Sequence, residues 1–239
     1  MSVEKALRIP ILSQLLGRDV PRSRFLVALF EASTDWRSMA YTMCSGVLRQ
    51  GDVVNYVAIS ESPAKVRREL ERSLPNLGEL EGNKKLLIYD WHTWMTGKKS
   101  DERFSVDSLS VGKLSSDALL SSAALTEYSP TYDLAVADNV STMLKWNDER
   151  AFMQWFDRLI ARLRPMKGVR VYGFVKGFHS ESFYANIETL ADGIIELTLR
   201  ERNDELQSAI RIKSFKGIPH TTKWRTLKVN SMGQANLVD

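Results

Sequence analysis

Short, continuously apolar runs alternate along this chain with stretches whose apolar residues recur at helical spacing. That alternation leaves few folds open. FLVALF (25–30), VVNYVAI (53–59), KLLIYD (85–90), YDLAVAD (132–138) and VRVYGFV (169–175) have the length and β-branched content of buried strands. Between them, 36–49 carries Met39, Ala40, Met43, Val47 and Leu48 on one helical face, and Gly51 ends it. Ser62-Pro63 opens a charged helix over 63–74, since proline suits the first helical turn. A helix is expected at about 115–127, and 147–164 carries Phe152, Trp155, Phe156, Leu159, Ile160 and Leu163 at helical spacing. The last third changes to IIELTLRE, SAIRIKSF and WRTLKV, separated by short polar turns. The pattern predicts an α/β fold: a mostly parallel central sheet, sandwiched between helices, with an antiparallel C-terminal extension. With no repeat and no linker, residues 1–239 read as a single domain with a polar, serine-rich surface excursion at 97–117.

Composition narrows the setting. Apolar residues make up 44% of the 239, enough for a sizeable core, and no apolar run approaches the ~18 residues a membrane span needs. The N-terminal MSVEKALRIP has no secretory apolar run, and the single Cys44 suits a reducing compartment, so a cytoplasmic protein is expected. Net charge is +4. Arg200, Arg202, Arg211, Lys213, Lys216, Lys223, Arg225 and Lys228 cluster in the last third, which makes a nucleic-acid partner worth weighing. On alternating strands, however, these charges are expected to divide between two faces.

Residues 25–39, FLVALFEASTDWRSM, have the strand–turn–helix layout of a phosphate-binding loop, yet the turn holds neither glycine nor lysine. Such a loop needs glycines so that backbone N–H groups can wrap the phosphates. It also needs a lysine for the β- and γ-phosphates and a Ser/Thr hydroxyl for Mg²⁺. The motif G-x-x-x-x-G-K-[ST] occurs nowhere: Gly97-Lys98 and Gly112-Lys113 lack both the upstream glycine and the following hydroxyl.

The surrounding segments carry a family resemblance. Ile9-Pro10, Leu15-Leu16-Gly17 and Val20-Pro21-Arg22 resemble the lead-in to the first strand of the KaiC-like branch of the RecA-type ATPases. Tyr56 to Pro63 is similar to that family's strand ending in two glutamates and Ser-Pro. Tyr132 to Asp138 resembles its Walker B strand, and Ala191-Asp192-Gly193 its step into the later sheet. Lys216-Gly217-Ile218-Pro219-His220, with Leu227-Lys228-Val229, is similar to the end of its fold. The resemblance covers about residues 9–232. It implies a RecA-like three-layer sandwich, ATP with magnesium, and sites shared between subunits of an oligomer.

Carried over residue by residue, the resemblance puts Phe30 and Asp35 at the loop's glycine positions, Trp36 at its lysine and Arg37 at its hydroxyl. Asp35 would repel a triphosphate, and Trp36 fills space that phosphate needs. Arg37 is a cation, which can draw a smaller anion to the helix N-terminus but cannot ligate Mg²⁺. Ser60 replaces the first of the paired glutamates, leaving Glu61, which also reads as an acid beside a helix start. Asp138 matches the metal-associated aspartate; equally, an aspartate ending a buried strand often binds the next turn through its side chain. Ser214 and Lys216 stand at the lysine and arginine that reach a neighbouring subunit's γ-phosphate, and a lysine cannot reproduce a bidentate guanidinium contact.

The other candidates read as packing. His92, His179 and His220 lack metal spacing, Trp91 and Trp94 flank a strand end, and Cys44 sits on an apolar helical stretch. The resulting expectation is a KaiC-like protein without catalytic residues and without ATP or Mg bound in the usual way. It would act as a regulatory or scaffolding subunit, in homo- or hetero-oligomers or with an active KaiC-like or RecA-like relative. The alternatives are a nucleic-acid-binding recombination or repair accessory, and a nucleotide-binding ATPase with a rebuilt loop.

Overall fold

The computed structural model describes residues 6–105, 131–145, 148–202 and 204–238. Its strands are β1 (Phe25–Phe30), β2 (Val54–Ala58), β3 (Leu86–Asp90), β4 (Leu134–Ala137), β5 (Val169–Val175), β6 (Gly193–Arg202), β7 (Glu205–Phe215), β8 (Arg225–Val229) and β9 (Ala235–Val238). They form a nine-stranded sheet in the order β3-β2-β4-β5-β1-β6-β7-β8-β9. Pairing is parallel from β3 to β6 and antiparallel from β6 to β9. This is the expected mostly parallel sheet with an antiparallel extension.

The strands of the parallel part are buried along nearly their whole length because helices cover both faces. On one side lie α1 (Leu12–Leu16), α2 (Trp36–Leu48), α3 (Pro63–Glu71) and α4 (Leu77–Gly82). Met39, Ala40, Met43, Cys44 and Val47 turn one fully buried stripe of α2 toward β1 and β2. Gly46 of that helix lies against Pro10, where a Cβ would come 2.1 Å from the proline ring, so the N-terminal segment can cross α2 closely.

The other face is covered by α6 (Glu149–Leu163) and α7 (Glu181–Leu190); α5 (His92–Met95) follows β3. The helical stripe of Phe152, Trp155 and Phe156 is core, as its period predicts. Phe156 meets Phe174 and Phe25 edge-on, at centroid distances of 5.7 and 5.8 Å, the geometry favoured by aromatic quadrupoles. Ser62, Asp148 and Ser180 cap α3, α6 and α7, each accepting a backbone N–H three residues on. Such caps contribute about 1 kcal/mol each.

Sequence periodicity did not flag α7, which buries only Phe183 and Ile187. The helix expected at 115–127 and most of the 97–117 excursion lie outside the described residues. The described part of that excursion, 97–105, adds a parallel bridge from Ser105 to Asp90. Among the described residues no helix is long and apolar enough to cross a membrane.

The aromatic face should dominate stability. Phe156→Ala is expected to lower unfolding free energy by about 3–5 kcal/mol, the range for buried aromatic truncation, with urea denaturation as the measurement.

Candidate functional site

The C-terminal ends of β1, β2, β4 and β5 lie side by side in the sheet, and ligands of open α/β sheets bind at such strand ends. Residues 31–35 connect β1 to α2 there. Glu31 N–H donates to the Leu197 carbonyl at 3.1 Å, and the Glu31 carboxylate accepts Leu199 N–H at 3.0 Å. Thr34 Oγ1 donates back to the Glu31 carbonyl at 2.8 Å. Ser33 takes the left-handed backbone, φ 68°, that this turn requires. Asp35 N–H donates to Ser208 Oγ at 3.0 Å, which ties the turn to β7.

Trp36 opens α2, and its indole is 1% exposed. The ring stacks on Phe30, centroids 5.6 Å apart and planes 17° from parallel, and its Nε1–H donates to the Asp138 carbonyl. Gly173 of β5 makes this possible. A Cβ there would lie 2.6 Å from the indole nitrogen and 2.7 Å from the Asp138 carbonyl.

Asp138 directly follows β4 and is fully buried. Its carboxylate accepts Ile59 N–H at 2.9 Å, Ser60 N–H at 3.1 Å and the Ser60 hydroxyl at 2.8 Å. Burial pushes its pKa up, and the hydrogen bonds from Ser60 and Ile59 oppose that shift. The side chain therefore fastens the β2–α3 turn, which is remote in sequence, and not only the turn that follows its own strand. Ser60, at the first glutamate position, is a donor to this carboxylate.

Glu61 lies beside this turn, 9% exposed. Arg37 Nη1 donates to its Oε1, and Lys65 Nζ lies 2.8 Å from its Oε2. The acid precedes the N-cap of α3, and two cations hold it. Asp35, Trp36, Arg37, Ser60, Glu61 and Asp138 are thus gathered at one end of the sheet. The resulting cluster is closed by an indole and by ion pairs.

Ser214 and Lys216 lie at the opposite end. β7 runs antiparallel to β6, so Phe215 pairs with Gly193 near the start of the parallel strands. Ser214 is exposed beside a bulge, and Lys216 Nζ donates to the Thr189 carbonyl at 2.8 Å, capping α7. Asp192, from the Ala-Asp-Gly step, accepts Phe25 N–H at 2.8 Å and so aligns β1 with β6.

One arrangement was invisible in sequence. Ser141 Oγ accepts Val175 N–H at 3.0 Å and lies 2.8 Å from His179 Nε2, and His179 Nδ1 is 3.7 Å from Glu149 Oε1. The order Ser–His–Glu is that of a nucleophile, base and orienting acid, but Ser141 is 1% exposed and closed to any substrate. It pins the turn after β4 to the starts of α6 and α7. Burial lowers the His179 pKa, against the pull of Glu149. Trp91 and Cys44 are buried as packing residues, and burial pushes the Cys44 thiol up. His92 Nδ1 lies 3.3 Å from the Ile59 carbonyl, and among the described residues no group of three His, Cys, Asp or Glu is placed to hold a metal ion.

Comparison with known proteins agrees with this architecture. The family model described as "ATPase: KaiC" matches residues 38–235. The solved structure of a KaiC-like protein from the hyperthermophilic archaeon Pyrococcus horikoshii OT3 superposes with a TM-score of 0.75 at 17% identity, covering 98% of each chain. No curated protein shows significant similarity to the sequence.

Two measurements probe the cluster. Gly173→Ala is expected to destabilise by about 1–3 kcal/mol through overpacking. The loss should shrink in a Trp36→Leu background, giving a coupling of at least ~0.5 kcal/mol in a denaturation cycle. For His179 the folded pKa is below its ordinary 6.5, so the unfolded chain takes up the proton first. Its contribution is complete above pH 6.5 and is lost as pH falls through the lower folded value. The urea midpoint should drop on acidification from pH 7, and His179→Gln should flatten that drop.

Proposed function

The chain belongs to the KaiC family of ATPase domains, and from that premise we propose that it is a member working without ATP hydrolysis, as a regulatory or scaffolding subunit through protein–protein contacts. One observation carries the reading: the buried Trp36 indole fills the space between Phe30, Gly173 and the Asp138 carbonyl, where a phosphate loop would present open backbone N–H groups.

The residues present do not fit Mg-ATP. No glycine, lysine or hydroxyl stands in the 30–37 register to cradle phosphate or ligate magnesium, apart from those of Ser33 and Thr34, and Thr34 Oγ1 is bonded to Glu31. The Asp138 carboxylate is fully engaged by backbone and Ser60 donors. Mg²⁺ is usually held by carboxylate and phosphate together. Glu61, the one remaining acid of the pair, is bound by Arg37 and Lys65. The same ion pair tells against the rebuilt-loop ATPase, since Arg37 was the cation that reading needed.

Ser214 and Lys216 suggest a matching loss toward a neighbour, because Lys216 is bound to its own α7. On this reading the protein is a single RecA-like domain of the cytoplasm. It assembles with itself or with an active KaiC-like relative, and its surfaces rather than its strand ends carry the work.

Isothermal titration with Mg-ATP at millimolar nucleotide is expected to give no binding heat. Micromolar binding, or hydrolysis above that of a Glu61→Ala/Asp138→Ala variant, would overturn the proposal.

A further inference from the structure

Strand register sorts the basic residues of the last third in a way their sequence does not. Along β6, Arg200 and Arg202 point to the same face as Glu196 and Thr198. Arg200 pairs with Gln207 and Glu196 with Arg211. Ala209 pairs with Thr226, which brings Trp224 and Lys228 onto that face as well. Lys213 joins them through its ion pair with Glu188 of α7, at 2.7 Å. Arg225 pairs with Ile210 on the opposite face. The charges divide between the faces, as alternation predicts, but unequally: one face of the extension, beyond the cover of α7, takes most of them.

The face is also organised. Arg200 and Arg211 both lie over Trp224, with guanidinium carbons 4.4 and 4.5 Å from its ring centroid. A stacked guanidinium is held in orientation while its in-plane N–H donors stay open to anions. Arg211 is neutralised by Glu196 at 2.6 Å. Arg200, Arg202 and Lys228 make no ion pair among the described residues, and all three are exposed. Ser208 pairs with Leu227 and Lys228 with Asn236. Continuing that ladder sets Arg200, Gln207, Lys228 and Asn236 in one row across β6, β7, β8 and β9. Neighbouring strands are ~4.8 Å apart, so donors recur along a line ~15 Å long. A recess of about 270 Å³ beside it is lined by Arg200, Arg202, Gln207, Trp224 and Thr226. Among the described residues two carboxylates lie close by: Glu205, which is opposite Arg202 and accepts one Gln207 Nε2–H at 3.3 Å, and Glu201, which also lines the recess.

We propose that this row binds the phosphate backbone of single-stranded nucleic acid. The strand lies across β6 to β9, with Arg200, Arg202 and Lys228 as phosphate contacts and the amides of Gln207 and Asn236 as neutral donors between them. Two arginines already lie over the Trp224 ring, so the indole preorganises the cations. Binding is accordingly indifferent to sequence and steep in salt. It needs no nucleotide at the β1–α2 turn and stands or falls apart from the reading of that site.

The test is fluorescence anisotropy of a labelled thirty-residue oligothymidylate with the full chain and no nucleotide, from ~50 to 300 mM salt. Binding is expected at ~50 mM, with log K falling linearly against log salt. Arg200→Gln/Arg202→Gln should weaken it at least tenfold and make the slope shallower by about 1.4, ~0.7 for each phosphate no longer neutralised. Lys228→Gln, a single exposed change, should take away about 0.7. Arg18→Gln/Lys84→Gln removes the same charge from exposed positions outside this face and should leave the slope in place. Circular dichroism confirms that each variant is folded. Absence of binding at ~50 mM, an equal loss in the control, or equal displacement of the strand by polyglutamate of matched charge would overturn the proposal, the last in favour of an acidic protein partner.

Discussion

A buried tryptophan needs both room and a partner for its one donor, and Trp36 obtains both from the same place. Gly173 leaves the surface of β5 bare, and the Asp138 carbonyl beside it takes the indole N–H. The carboxylate of that same aspartate gathers Ile59 and Ser60. One residue thereby joins the ends of β1, β2, β4 and β5 through its backbone and its side chain. A carboxylate with no exposure is tolerable only because these donors satisfy it. Removing any of them would leave a buried acceptor unmet, so the cluster holds as a unit.

Much of the fold was legible because buried parallel strands must be apolar on both faces. β1 and β5 fall on the residues their apolar runs mark, and β3 and β4 within them. α7 was not legible, since a helix that buries little leaves little period to find. At the candidate site, sequence could show what the turn lacks and that Trp36 would fill space. It could not show the Gly173 hollow, because β5 is more than a hundred residues away along the chain. The Arg37–Glu61–Lys65 cluster was missed for a simpler reason. Each residue has an ordinary local role, and only the sheet order brings α2 and α3 together.

Register explains the remaining difference. Alternation says only that the charges of the last third divide between faces; a bulge at Ile194/Ile195 and the pairing of three strands decide which charges share one. The Ser141, His179 and Glu149 alignment belongs to the same class: Ser141 and Glu149 follow β4, His179 follows β5, and the ends of those two strands bring them together.

The ion pairs on Glu61 have one further consequence. In a nucleotide-binding protein, the charges at this end of the sheet are completed by ligand, so stability rises with ligand concentration by mass action. Here Arg37 and Lys65 complete them from within the chain, whatever the surroundings contain. On the proposed reading, such a protein carries no record of the energy state of its cell. Its influence on a partner would scale with how many copies are present, which makes its synthesis and turnover the natural points of control.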